Sequence, residues 1–212
     1  MRPLPLYRLP RAAWTLAVSF AGEWDKDGRD LVPPGWRPRI AAATVGLYAI
    51  SLLVIPGAHQ SQDGRVVAVL RRQERRANLL IGLRAAAVGS PLLVAIALDP
   101  SRLAPAGLAL LALVVGPGWW GWKTSRKYRP GAPKGSPTEP RATWSLSSVG
   151  CRPEARGPYT LFQVRELVRQ HAKPGDTVGV VAGSTETAKA YVAIGFVRVA
   201  DDDPRMILTC HV

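Results

Sequence analysis

The chain has 212 residues, 47 % hydrophobic and 20 % charged, with 28 Lys+Arg against 15 Asp+Glu and a formal net charge of +13. That length holds one domain or two small ones, and that hydrophobicity excludes a disordered chain. Two cysteines, Cys151 and Cys210, exclude a disulfide-rich scaffold and a four-cysteine zinc site; three scattered histidines leave little for a histidine metal centre.

The stretch before Ile40 carries seven basic and four acidic residues. Its apolar run Ala12–Ala21 is short for a spanning helix and lacks a convincing small-residue cleavage signal. Three long apolar windows follow, Ile40–Ala58, Ala77–Leu98 and Leu103–Trp122. A helix needs about 20 mostly apolar residues to cross the hydrocarbon core, and all three reach that length. The first and third carry no charge and no polar stripe of the kind that marks a helix in a soluble bundle. The second carries Arg84, read either as an anchor whose long stem reaches the headgroups or as a buried partner for an anionic group. Trp119, Trp120 and Trp122 close the third window with rings suited to the membrane interface. Pro56, Pro91 and Pro117 are tolerable in spanning helices.

Charge between the windows sets an orientation. The first connection carries Arg65, Arg71, Arg72, Arg75 and Arg76 against Asp63 and Glu74, while the second carries only Asp99 and Arg102. Basic loops stay on the cytoplasmic side. The expectation is a multi-pass protein of the cell membrane, with three spans and the C-terminal domain in the cytoplasm. The basic N-terminal stretch resists translocation, so a re-entrant or interfacial first window stays open as the alternative.

Residues 123–141 form a Pro/Gly-rich linker with six basic residues and one acid. A basic stretch beside a spanning helix suits anionic headgroups. Nucleic acid is disfavoured as a partner. The charge divides evenly, +7 over residues 1–122 and +6 over 123–212, and no basic patch is interleaved with aromatics.

From residue 142 the pattern is that of a small α/β unit. Thr143–Gly150 alternates as a strand does, and Tyr159–His171 places Leu161, Val164, Leu167 and Val168 at helical spacing. Thr177–Ala182 is a continuous apolar run typical of a buried strand. Ser184 caps a helix that Gly195 ends. Phe196–Ala200 and Arg205–Cys210 read as two final strands.

Three features of this unit resemble the C-terminal half of the GCN5-related N-acetyltransferase (GNAT) superfamily. A strand ending in Val149 runs into Arg152-Pro-Glu-Ala-Arg156-Gly157-Pro-Tyr159-Thr160-Leu-Phe, similar to that family's pyrophosphate loop. The strand Thr177–Ala182 leads into a helix that begins Ser-Thr-Glu-Thr. Tyr191-Val-Ala-Ile-Gly195-Phe196 is similar to its Y-x-x-x-G-F signature. The likeness covers residues 142–210, about a third of the chain. It implies acetyl-CoA as acyl donor, held by Val149, Arg156, Gly157, Tyr159 and Thr160 at a helix N-terminus, where backbone N–H groups and the helix dipole favour phosphate. Tyr191 would protonate the leaving thiolate. Tyr159 and Leu161 stand where the family has small residues, so a side chain at Tyr159 would fill the space meant for phosphates.

The sequence thus predicts an α-helical membrane region joined to a small GNAT-like α/β domain. Its parts are an N-terminal segment (1–39), a transmembrane region (40–122), the linker (123–141) and the α/β domain (142–212). About 70 residues bury only a marginal core, so that domain would complete itself with a second copy, the membrane segment or a partner. Two functions follow. One is a membrane-anchored acyltransferase moving an acetyl group from acetyl-CoA to an amine. The other is an inactive membrane protein that keeps the α/β domain for binding or assembly. The partners implied are a lipid bilayer, a further copy of the chain and an unidentified acceptor amine.

Overall fold

The computed structural model describes residues 1–23, 29–98, 100–129 and 138–210. In chain order the elements are β1 (Arg2–Pro3), α1 (Leu9–Phe20), α2 (Trp36–Val54), β2 (Ala58–Gln60), β3 (Val66–Arg72), α3 (Arg75–Leu98), α4 (Pro100–Lys127), β4 (Trp144–Cys151), α5 (Pro158–His171), β5 (Thr177–Val181), α6 (Thr185–Ala193), β6 (Val197–Arg198) and β7 (Arg205–Thr209). The strands make one open mixed sheet in the order β1-β2-β3-β4-β5-β7-β6. Every neighbouring pair is antiparallel except β4–β5, which is parallel.

The stretch read from sequence as a basic connection builds half of that sheet. Val66–Leu70 is buried throughout, a continuous apolar run because both faces are covered. Side chains alternate along a strand, so Val67 and Val69 join the core beneath α1 with Ala12, Ala13 and Leu16. Ala68 and Leu70 join the opposite core with Leu146, Val164 and Leu167. The β2–β3 turn is closed by Asp63, whose carboxylate accepts from Ser61 Oγ at 2.5 Å and from the Arg65 N–H at 3.0 Å, and Gly64 supplies a φ of +73°.

These pairings overturn the three-span topology. α2 takes up most of the first window, but it starts from the segment after α1 and ends at Val54, four residues before β2. α1 packs on β3 and β4, and β2 pairs with β3. α2 therefore packs along α1, between that helix and α4, as part of the same body as the sheet. β3 and β4 pair as well, so the chain returns after α3 and α4 to the side it left. Among the described residues one helix, Trp36–Val54, is long and apolar enough to cross a membrane. The side chains of 91–111, in the second and third windows, lie outside the described residues. The multi-pass membrane localisation is corrected accordingly. The sheet of the α/β unit is continued by β1–β3 from the first half of the same chain. Of the linker, residues up to Lys127 belong to α4, while 130–137 lie outside the described residues.

α4 closes on α2 through glycines. A Cβ on Gly121 would stand 2.7 Å from Thr44 Cγ2 and 3.1 Å from Ala43 Cβ, and one on Gly118 would stand 2.4 Å from Leu47 Cδ1. Beside them Trp36 and Trp120 pack at 6.0 Å between ring centroids.

One irregularity positions the site. Val67 lies opposite Gly150 and Val69 opposite Ser147, so β4 holds one residue more than β3 over that interval. Ser148 takes a φ of +49° there. This is a β-bulge, which bends its strand and increases its twist. Parallel pairing of β4 with β5 stops at Leu146–Val180; the rest of β4 has no strand partner on that side, and the Cys151 N–H donates to Ser19 Oγ of α1 at 3.1 Å.

Candidate functional site

A cavity of about 380 Å³ occupies the gap where β4 and β5 part. Ser147, Ser148 and Val149 form its strand wall. Ser147 pairs with Val69 of β3, Ser148 and Val149 form the bulge, and none of the three pairs with β5, so their backbone groups on that side have no strand partner and border the space. Buried main-chain groups of this kind need a hydrogen-bond partner, and an extended ligand with amide groups supplies one as an added strand does.

The start of α5 forms one end. Gly157 precedes the helix with a φ of +96°, and a Cβ there would meet nothing within 4 Å, so the backbone stands open. Pro158 takes the first helical position, where the missing N–H costs nothing. The remaining first-turn N–H groups lack helical partners. Thr160 turns its hydroxyl inward and donates to the Ala155 carbonyl at 2.5 Å, which holds the turn. Arg156 lines the cavity close to Cys151, whose thiol is pushed up by burial.

Tyr191 forms the other end. Ser184 caps α6 by accepting from the Thr187 N–H at 3.1 Å, and Tyr191 follows two turns later. Its ring packs on Phe196 at 5.3 Å between centroids and is 5 % exposed, while the residue lines the cavity. Its hydroxyl has no hydrogen-bond partner among the described residues. Burial pushes its pKa well above the ordinary tyrosine value, so it keeps its proton at any physiological pH.

The third wall comes from the N-terminal half: Ser19 and Phe20 at the end of α1, then Glu23, with Arg129 just beyond α4. The Arg129 guanidinium donates to the Phe20 carbonyl and lies 5.0 Å from the Phe20 ring centroid. Three carboxylates line the space. Glu139 accepts from Arg71 at 2.9 Å and from Ser145 Oγ at 2.7 Å, and Glu186 pairs with Lys189 at 3.0 Å. Glu23 has no side-chain hydrogen bond among the described residues.

Of the residues singled out from sequence, Val149, Arg156, Gly157, Thr160 and Tyr191 come together around this one cavity. Tyr159 does not. Its side chain turns to the outer face, where the hydroxyl donates to Asp63 Oδ2 at 3.1 Å. The ring therefore leaves open the space it was expected to fill. Leu161 does line the cavity. Sequence reasoning missed Glu23, Arg129, Glu139 and the Ser148 bulge. Nothing in the local sequence marks the first two, because their position depends on α1 docking against β4. Cys151 ends β4 and Cys210 follows β7, two free thiols on either side of β5. Among the described residues no group of three or more His, Cys, Asp or Glu could hold a metal ion.

No protein-family model matches this chain, and no curated protein matches it. The resemblance to the GNAT superfamily is thus corrected: membership is not supported, and neither is an acetyltransferase identity drawn from it. The quoted strings are short, and local folding accounts for them. Gly195, at a φ of +100°, ends α6. The turn it makes lets the Tyr191 carbonyl accept from the N–H groups of Ile194 and Phe196, both at 3.1 Å. Any helix that stops and feeds an apolar residue back into the core needs such a glycine.

Proposed function

We propose that the cavity between β4 and β5 binds the thioester arm of acetyl-CoA and that the protein transfers the acetyl group to an amine. The observation that carries this reading is Tyr191, a residue only 5 % exposed that lines a cavity with an open strand edge. A volume of about 380 Å³ falls at the lower end of the roughly 300–1,000 Å³ of small-molecule sites. It suits an extended arm, with the nucleotide left outside.

Bound there, acetyl-CoA would supply an acetyl group activated as a thioester. The chain's residues do the rest. The free edge of β4 takes up amide groups of the arm. The α5 N-terminus and Arg156 offer N–H groups and positive charge to phosphate. Tyr191 holds a proton at Oη and delivers it to the departing sulfur as the C–S bond breaks. Glu23 takes up the proton that the amine loses as the C–N bond forms.

Calorimetry of the full-length protein with acetyl-CoA tests the binding step. Micromolar binding that weakens at least tenfold in Arg156→Ala supports it, since charge-assisted hydrogen bonds contribute about 1.5–3 kcal/mol. Absence of binding at millimolar ligand overturns it and leaves the fold a binding or assembly module. An amine panel followed by thiol release then tests transfer.

A further inference from the structure

The first half of α3 stands away from both cores. Asn78–Ala87 is apolar apart from Asn78 and Arg84, yet Leu79 is 66 % and Leu83 63 % exposed. The end of α4 continues the pattern, with Trp119 61 % exposed and Val115, Trp120 and Trp122 also exposed. Single apolar residues on a surface are ordinary, but an apolar helix segment with this many exposed side chains marks an interaction site.

Charge decides what covers it. Arg75–Lys127 carries seven basic residues and one acid, Asp99. Lys123 and Lys127 are exposed in the turns just after the tryptophans, and Arg126 lies over the Trp122 ring at 4.9 Å. A second copy would bring the same positive charges to the interface, and such juxtaposition is costly. An anionic lipid surface complements both features: apolar side chains enter the boundary region, tryptophans sit at headgroup depth, and lysines meet phosphate.

We propose that the face formed by Leu79, Leu83, Trp119 and Trp122, with Lys123 and Lys127, docks on an anionic lipid surface. Attachment is from one side. The Gln73 N–H donates to the Thr143 carbonyl at 2.9 Å, so α3 and α4 leave and rejoin the sheet at adjacent points. The whole sheet then stays in water beside the lipid. This surface is independent of the acetyl-CoA reading, because no residue of it lines the cavity.

Flotation of the full-length protein with vesicles tests it, using phosphatidylcholine alone or an equal mixture with phosphatidylglycerol. The protein should float with the mixed vesicles, and high salt should weaken binding. Replacing Lys123 and Lys127 by Gln should lower the partition coefficient about fivefold for each lysine, from about 1 kcal/mol per basic residue near such a surface. Leu83→Glu with Trp119→Glu should abolish flotation; both positions are exposed, and an unchanged circular dichroism spectrum confirms that the fold is intact. Failure to float with either vesicle overturns the proposal, as does undiminished flotation of the Leu83→Glu, Trp119→Glu variant. A stable dimer by light scattering that those two substitutions dissociate also overturns it, and assigns the face to a second copy.

Discussion

Tyr191 is the residue whose environment says most about chemistry. A tyrosine hydroxyl in an apolar pocket keeps its proton because burial disfavours the phenolate. It therefore stays protonated across the working pH range. Tyr191→Phe removes the proton and little volume. In the proposed reaction it should lower kcat about 100-fold, at the lower end of general-acid effects, while acetyl-CoA affinity by calorimetry stays unchanged. The wild-type rate should show no alkaline fall in the range where ordinary tyrosines ionise. Gly57 is the matching case for stability. Its φ is +87°, and a Cβ would stand 2.1 Å from the Leu70 carbonyl oxygen, a backbone atom that cannot give way. Gly57→Ala should destabilise by about 2–4 kcal/mol in urea unfolding, from backbone strain and overpacking together.

Among the elements, β4 and the α2–α4 pair set the architecture. The Ser148 bulge interrupts the alternation of β4: Leu146 and Val149 both pack on the α5 side, three residues apart. It also frees the strand edge that borders the cavity. Where α4 meets α2, Gly121 faces Thr44, Ala43 and the Ile40 carbonyl at 3.2 Å. A β-branched side chain has no room there. Gly121→Val should lower stability by about 1–3 kcal/mol without changing ligand affinity at the cavity, since no atom of Gly121 borders it. Thermal unfolding and calorimetry of the one variant check both parts.

Across the whole molecule, the sheet joins the two halves of the chain. Residues 142–210 contribute four of the seven strands, and β4 would become a bare edge without β3. A fragment comprising residues 142–212 should therefore lack a dispersed amide spectrum by NMR and aggregate, because its edge and half its core lose their cover. His59 on β2 meets His171 at the end of α5, with ring centroids 4.9 Å apart, and His59 Nδ1 bonds the Gly57 carbonyl at 2.8 Å. Burial holds the His59 pKa below its ordinary value of 6.5. The unfolded chain thus binds this proton more readily than the folded one, and stability falls as pH drops below about 6.5. In His59→Asn the melting temperature should depend less steeply on pH over that acid range. An unchanged slope would exclude His59 as the titrating group.

Local patterning was enough to show the strands and helices after residue 142, the Ser184 cap, the Gly195 stop and the loop before α5. Each follows from spacing, capping or backbone freedom within a few residues. The same patterning misjudged the first half. A run of about 20 apolar residues reads alike whether lipid or protein covers it, and only the tertiary packing shows that α2 lies against α1 and α4. Val66–Leu70 carries the signature of a buried strand, but its five residues lie among arginines that read as a loop. Tertiary structure also decided which side Tyr159 faces, where the bulge opens β4, and that Glu23 and Arg129 share a cavity with Tyr191. Those contacts join residues far apart in the chain, and no local spacing encodes them.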